Sequence, residues 1–196
     1  MTDQGGPQRR NRKAIAVERL LAYESIRQLV ARYAVAVDSR DIDTLVGLFV
    51  EDVQVGALGR GRAALRKSFE TSLRAIGVSI LNVGTHVIDL VDEREASGIV
   101  YCKGEIQDGN RWIHQAIVYD DRYRCVAGSW HFVRRQHRLF YGAEVGGNPL
   151  GLPPANWPEH HDGWGTVPGA WDSWRRFWAN VPDDRADQPS TKEDPA

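Results

Sequence analysis

Cysteine, methionine and net charge are what this chain has least of. Its 196 residues include two cysteines and one methionine, and 25 basic residues nearly cancel 26 acidic ones to a formal charge of −1. Cys102 and Cys125 are too few for a disulfide framework, and neither has a second Cys or His at zinc-finger spacing. Both are expected as small core or strand residues. The balanced charge gives no support to nucleic acid or an acidic membrane as a partner, because binding a phosphate backbone needs a clustered basic excess. No apolar run approaches the roughly 18 residues of a membrane helix. The start MTDQGGPQRRNRKA is basic with no apolar stretch behind it, so no secretory signal is expected and a cytoplasmic protein is the default. A Gly-x-Gly-x-x-Gly after a strand and a Walker sequence are both missing, and so is any cue for a nucleophilic serine or cysteine. His160 and His161 are adjacent and no His-x-x-x-His occurs on a helix, so neither a metal nor another cofactor is expected.

What the chain does have is 42% hydrophobic residues and seven tryptophans, five of them at 157, 164, 171, 174 and 178. A chain of this length buries roughly 70% of its unfolded surface, enough for one core with room for a pocket. Residues 1–13, rich in Gly, Gln and Arg, are expected as a disordered basic arm. Leu20, Leu21, Ile26, Leu29, Val30, Tyr33 and Val37 then recur at helical spacing and predict a helix over 17–38. Asp41 is a good N-cap for a short helix over 42–49, and Ala63, Leu65, Phe69 and Leu73 mark a third over 62–75. Beyond Gly77 the pattern changes to β-branched and aromatic runs broken by turn signals, predicting strands over 78–91, 97–107, 111–124 and 129–141. Asp108-Gly109 between two of them calls for a tight hairpin with positive φ. The expected fold is α+β: three helices packed on a strongly curved antiparallel sheet, forming a cone with one open end.

Four stretches in this order carry a family resemblance: IRQLVARYAVAVDSRDIDTLVGLFVEDV, NVGTHVIDL, YDDRYRCVAGSW and HFVRRQHRLFYG. Together they resemble the SnoaL-like branch of the nuclear-transport-factor-2-like superfamily, which includes dehydratases and a dehydrochlorinase, over residues 14–141. The resemblance implies the cone-shaped α+β barrel and places Asp38 as the acid that orients His86, the general base. A neutral imidazole accepts a proton at pH 7, and a carboxylate on its other nitrogen fixes the tautomer. By the same resemblance Tyr33 is a pocket phenol, His114 a second acid/base group, and the arginine of the last strand is Arg138 or else Arg134 or Arg135. Trp112, Trp130 and Phe132 are the expected aromatic walls. Tyr33 and Asp38, five apart, point some 140° from each other on a helix, so both line one pocket only if the helix ends near Asp38. Alternation alone leaves open which face of the last strand lines the cavity.

The implied activity is that of a cofactor-independent lyase, a dehydratase of a hydroxylated cyclic or polycyclic apolar substrate. Isomerisation or polyketide cyclisation on the same scaffold, and a non-catalytic binding or assembly module, stay open. A homodimer or homotrimer through the outer face of the sheet is also expected from the resemblance. The segment 142–180, rich in Trp, Gly and Pro, should pack as a lid on the cone or a wrap on the sheet or a neighbouring subunit, before a disordered tail over 181–196. Trp171, Trp174 and Trp178 share one face of a short helix there.

Overall fold

A computed structural model describes residues 7–156, 159 and 162–179. The pair His160-His161 and the tail over 181–196 lie outside the described residues. Helix α1 runs Pro7–Asp38, α2 Ile42–Gly47 and α3 Arg62–Arg74, and strands β1 Ser79–Leu90, β2 Glu95–Asp108, β3 Arg111–Val126 and β4 Ser129–Glu144 follow. The strands form one antiparallel meander in sequence order. This is the α+β architecture that the change of periodicity predicts. The helix α1 begins ten residues earlier than its apolar period, so residues 7–13 are helical rather than a disordered arm. Proline suits a first helical turn because its missing N–H has no partner there in any case. Residues 12–21, Leu20 and Leu21 among them, are exposed and Ile26 is the first buried side chain among those described in the helix, while the sequence PQRRNRK over 7–13 has no apolar residue to set a period.

Local chemistry sets the turns. Asp41 caps α2, its Oδ1 accepting from the Thr44 N–H at 3.0 Å. Gly109 takes a positive φ of 59° between β2 and β3, and Ala127 and Gly128 take 49° and 81° between β3 and β4. Two consecutive positive φ values make the turn whose twist suits a hairpin. Leu48 and Val50 extend the sheet beyond β4: the Phe132 N–H donates to the Leu48 carbonyl at 2.9 Å and the Val50 N–H to the Phe132 carbonyl at 3.0 Å.

The sheet's concave face and α1 enclose the main core, where Ile26, Val30, Phe49, Val100, Ile117, Tyr123 and Phe132 are buried. A second cluster joins Ala36, Val37, Leu45, Val46 and Leu73 at the other end of the helices. The expected aromatic helix exists as α4, Asp172–Ala179, and its Phe177 is buried in this second cluster. It therefore seats where the ends of α1, α2 and α3 meet, in a cluster that Leu81 of β1 also packs against. The strand β4 runs to Glu144, three residues beyond the expected end of the barrel.

Phe132 is fully buried and its ring meets Tyr33, Phe49 and Tyr123 at centroid distances of 5.8, 5.1 and 5.5 Å. Removing a buried aromatic ring typically costs about 3–5 kcal/mol. Phe132→Ala keeps the backbone bonds to Leu48 and Val50 but removes the ring, and should lose that much in urea unfolding.

Candidate functional site

Three β-bulges decide which side chains enter the cone, and the one on β1, between Val83 and His86, turns His86 inward beside Val100. Along β3 and β4 the partners run Tyr123 with Phe132, then Arg122 with Arg134, so Val133 is an extra residue, and a second shift follows between Ala116 and Ile117. A one-residue slip moves every later side chain to the other face. Trp130 and Phe132 face inward before the bulge, and Arg135, His137 and Leu139 face inward after it. Without the bulge Arg134 and Arg138 would share the face of Phe132.

Arg135 is the arginine of the interior. Its Nε and Nη2 donate to the two oxygens of Asp121 at 2.9 and 2.6 Å, and both side chains are almost wholly removed from water. Burial opposes the charge of Arg135, but the Asp121 carboxylate more than offsets it and holds the guanidinium pKa above its usual range. The guanidinium carbon lies 4.3 Å from the ring centres of Tyr33 and Tyr119 and 4.4 Å from that of Phe132. Such cation–π contacts gain strength when desolvated. The third nitrogen, Nη1, is buried without a hydrogen-bond partner. Tyr33 and Arg135 also line an open cavity of about 470 Å³, together with Phe49, Phe69 and the loop around Val55.

A second chain of contacts starts from the same carboxylate. The Tyr123 hydroxyl donates to Asp121 Oδ2 at 2.8 Å, and His86 Nε2 stands 3.1 Å from that hydroxyl. A phenol has one proton, so with it committed to Asp121 the bond from His86 must be Nε2–H donating to the Tyr123 oxygen. A neutral His86 then carries its lone pair on Nδ1. Burial, with the cations Arg135 and Arg27 adding to it and Asp121 opposing, lowers the His86 pKa to about 4. Gly98 makes room for this arrangement, since a Cβ there would come within 2.9 Å of the Val87 carbonyl and 3.0 Å of the Tyr123 ring.

Asp38 belongs elsewhere. At the end of α1 its Oδ1 accepts from the Ser79 hydroxyl at 3.1 Å and its Oδ2 from the Leu81 N–H at 2.9 Å. His86 lies five residues further along β1, about 15 Å at the rise of a strand. The expected Asp38–His86 dyad is therefore not formed: each group has its own partners at a different level of the cone. Burial lifts the Asp38 carboxyl to about 6, against the lowering effects of the two hydrogen bonds and of Arg40. Tyr33, whose pKa burial raises, lies where it senses both Arg135 and Asp38, and so does Cys102.

Residues 18–136 match the model of the SnoaL-like domain family, more than half of the chain. The chain belongs to that family. Solved structures show the same fold: a hexachlorocyclohexane dehydrochlorinase from Novosphingobium barchaimii LL02, at 20% identity and a TM-score of 0.63, covers 71% of this chain and 99% of its own. A scytalone-dehydratase-like protein from Novosphingobium aromaticivorans, at 23% identity and a TM-score of 0.59, covers the same 71% and 99%. A protein of unknown function from Mycobacterium tuberculosis, at 21% identity and a TM-score of 0.56, covers 69% of this chain and 77% of its own. No curated protein matches the sequence.

Within this SnoaL-like domain several expected site residues lie outside the interior. His114 pairs with Glu105 on the convex face, its Nε2 3.7 Å from Glu105 Oε2, and so is not a second acid/base group in the pocket. Trp112 projects to that face too, where it is buried and donates Nε1 to Glu105 Oε2 at 2.9 Å. Arg138 reaches Asp120 at 3.3 Å on the convex side, whereas the exposed Arg134 stands at the rim of the Tyr33 cavity. Trp130 and Phe132 face inward as core residues. Among the described residues no three His, Cys, Asp or Glu side chains come together as a metal site, and no helix is long and apolar enough to cross a membrane. Sequence reasoning passed over Asp121 and Tyr123, although both stand in the Tyr-x-Asp-x-Tyr run that it singled out.

The lowered pKa of His86 gives a sign for acid stability. Between the ordinary imidazole value near 6.5 and about 4 the unfolded chain binds a proton that the folded chain refuses, so this contribution, present above that window, is lost as pH falls through it. Asp38 acts oppositely as pH falls from about 6 to 3.8. His86→Gln should therefore reduce the acid-side loss, read as a difference from the parent protein in urea unfolding across pH 7 to 4.

Proposed function

We propose that the protein is a cofactor-independent lyase, a dehydratase of a hydroxylated cyclic or polycyclic apolar ketone such as a steroid, polyketide or terpenoid, with Asp38 rather than His86 as its base. The observation that carries this reading is the unpartnered Arg135 Nη1, buried beside an aromatic cavity. Buried donors are rarely left open, and one beside a cavity is placed where a ligand oxygen can complete its bonding. A carboxyl at about 6 is ionised at neutral pH yet still basic enough to take a proton. Aromatic walls suit a flat apolar ring system.

In the proposed step Asp38 takes a proton from the carbon beside the substrate carbonyl. Electrons move onto the carbonyl oxygen, where Arg135 Nη1 and the neutral Tyr33 phenol stabilise the developing enolate. As the enolate collapses, the hydroxyl on the next carbon leaves and takes the proton from Asp38, departing as water. His86 serves the interior through Tyr123 and Asp121, which hold Arg135 in place. A single carboxyl that returns the proton it takes also suits isomerisation, in which the proton goes back to carbon and no water is lost. Exposed Val87, Tyr101 and Phe140 on the convex face support the expected homo-oligomer.

Mass spectrometry on a panel of cyclic β-hydroxyketones distinguishes the two reactions by loss of water. For a substrate that turns over, Asp38→Asn should lower kcat by about 10²–10⁴. The parent kcat/KM should rise with pH and level off above about 6, because the base is active only when deprotonated. Full activity in Asp38→Asn would overturn the assignment.

A further inference from the structure

Arg40 is a buried arginine outside the cavity just described. It stands two residues past the end of α1, with a positive φ of 57°, and is 1% exposed. Its Nη1 donates to the Val37 carbonyl at 2.5 Å and to Ser79 Oγ at 2.8 Å, and its Nη2 donates to the Gly77 carbonyl. Ser79, 3% exposed, has a single hydroxyl proton, which goes to Asp38 Oδ1. Arg40, Ser79 and Asp38 thus form one directed chain in which a cation polarises the hydroxyl that holds the carboxylate. On its outer side the guanidinium carbon of Arg40 lies 4.8 Å from the ring centre of Trp174. The same helix is anchored by the Ser173 hydroxyl, which donates to the Ser39 carbonyl at 2.7 Å, and by the buried Phe177, whose ring lies 4.4 Å from the Arg74 guanidinium carbon.

We infer that the C-terminal helix α4 acts on Asp38 through this chain: Trp174 holds Arg40, Arg40 holds Ser79, and Ser79 orients and polarises the Asp38 carboxylate. Trp174, Arg40 and Ser79 are positioning residues. The inference rests on the reading of Asp38 as the base, but its contacts exist whatever reaction the cavity performs. The groups that Asp38 meets or senses are the Ser79 hydroxyl and Leu81 N–H of β1, the Arg40 guanidinium, the Tyr33 phenol of α1 and the Cys102 thiol of β2. Of these only Arg40 is a cation, so loosening it removes the attraction that favours the ionised carboxylate, and removing the Ser79 donor acts in the same direction. The helix α4 lies some 35 residues beyond the end of the family match at 136, so the control is supplied by a segment outside the shared domain.

Carboxyl-carbon NMR titration of Asp38 in the full chain tests this without a substrate. Ser79→Ala should move its midpoint upward by about half a pH unit or more, Trp174→Ala should move it the same way, and Trp174→Phe, which keeps a ring face, should restore it. An unmoved midpoint in both alanine variants would overturn the inference, even if Asp38→Asn abolished turnover. Shifted midpoints alongside a fully active Asp38→Asn would sink the catalytic assignment and leave the coupling to α4 standing. Circular dichroism of each variant separates these results from loss of fold, and Ser79→Thr, which keeps the hydroxyl, should retain the parent midpoint.

Discussion

The buried ion pair between Arg135 and Asp121 is the constraint around which the interior is organised. Taking two full charges out of water is costly, and the attraction between them offsets that cost only with good geometry and further partners. Here the partners are supplied from three elements. Aromatic rings of α1, β3 and β4 face the guanidinium, and the Tyr123 hydroxyl takes part in satisfying the carboxylate. Well-packed apolar residues would serve stability at least as well, and what the pair adds is direction: the two bound nitrogens fix the third, Nη1, which is buried without a hydrogen-bond partner.

Much of the fold was legible because the signals were local. The exchange of helical spacing for β-branched runs after Gly77, the Asp41 cap and the Asp108-Gly109 turn each reflect backbone chemistry within a few residues, and each appears in the structure near its expected place. The start of α1 was illegible for the opposite reason. Turns that stand away from the core need no apolar face, so hydrophobic spacing cannot report them.

The interior was less legible. Family likeness brought Asp38 and His86 together as a pair, but the level at which a helix end meets a strand is set by packing across the cone, and Asp38 meets Ser79 and Leu81 instead. His114 failed for a simpler reason, since alternation specifies two faces without saying which is concave. Asp121 and Tyr123 stood in a quoted motif yet were not chosen, because nothing local shows that an aspartate on a strand will be buried. Arg135 was one of three arginines in reach, and only the extra residue at Val133 selects it.

That extra residue has an evolutionary side. A strand that carries a buried cation just after a bulge is sensitive to that bulge, because straightening it with every residue kept slips the register by one and reverses the side chains that follow. This strand bears a duplicate: Arg134 precedes Arg135. Were the bulge straightened, Arg134 would turn inward and a guanidinium would still stand opposite Asp121, while His137 and Leu139 would turn to the convex face. The doubled arginine thus makes the charge of the site robust to a slip that would rewrite the lining beyond it, separating what the site can lose from what it can vary.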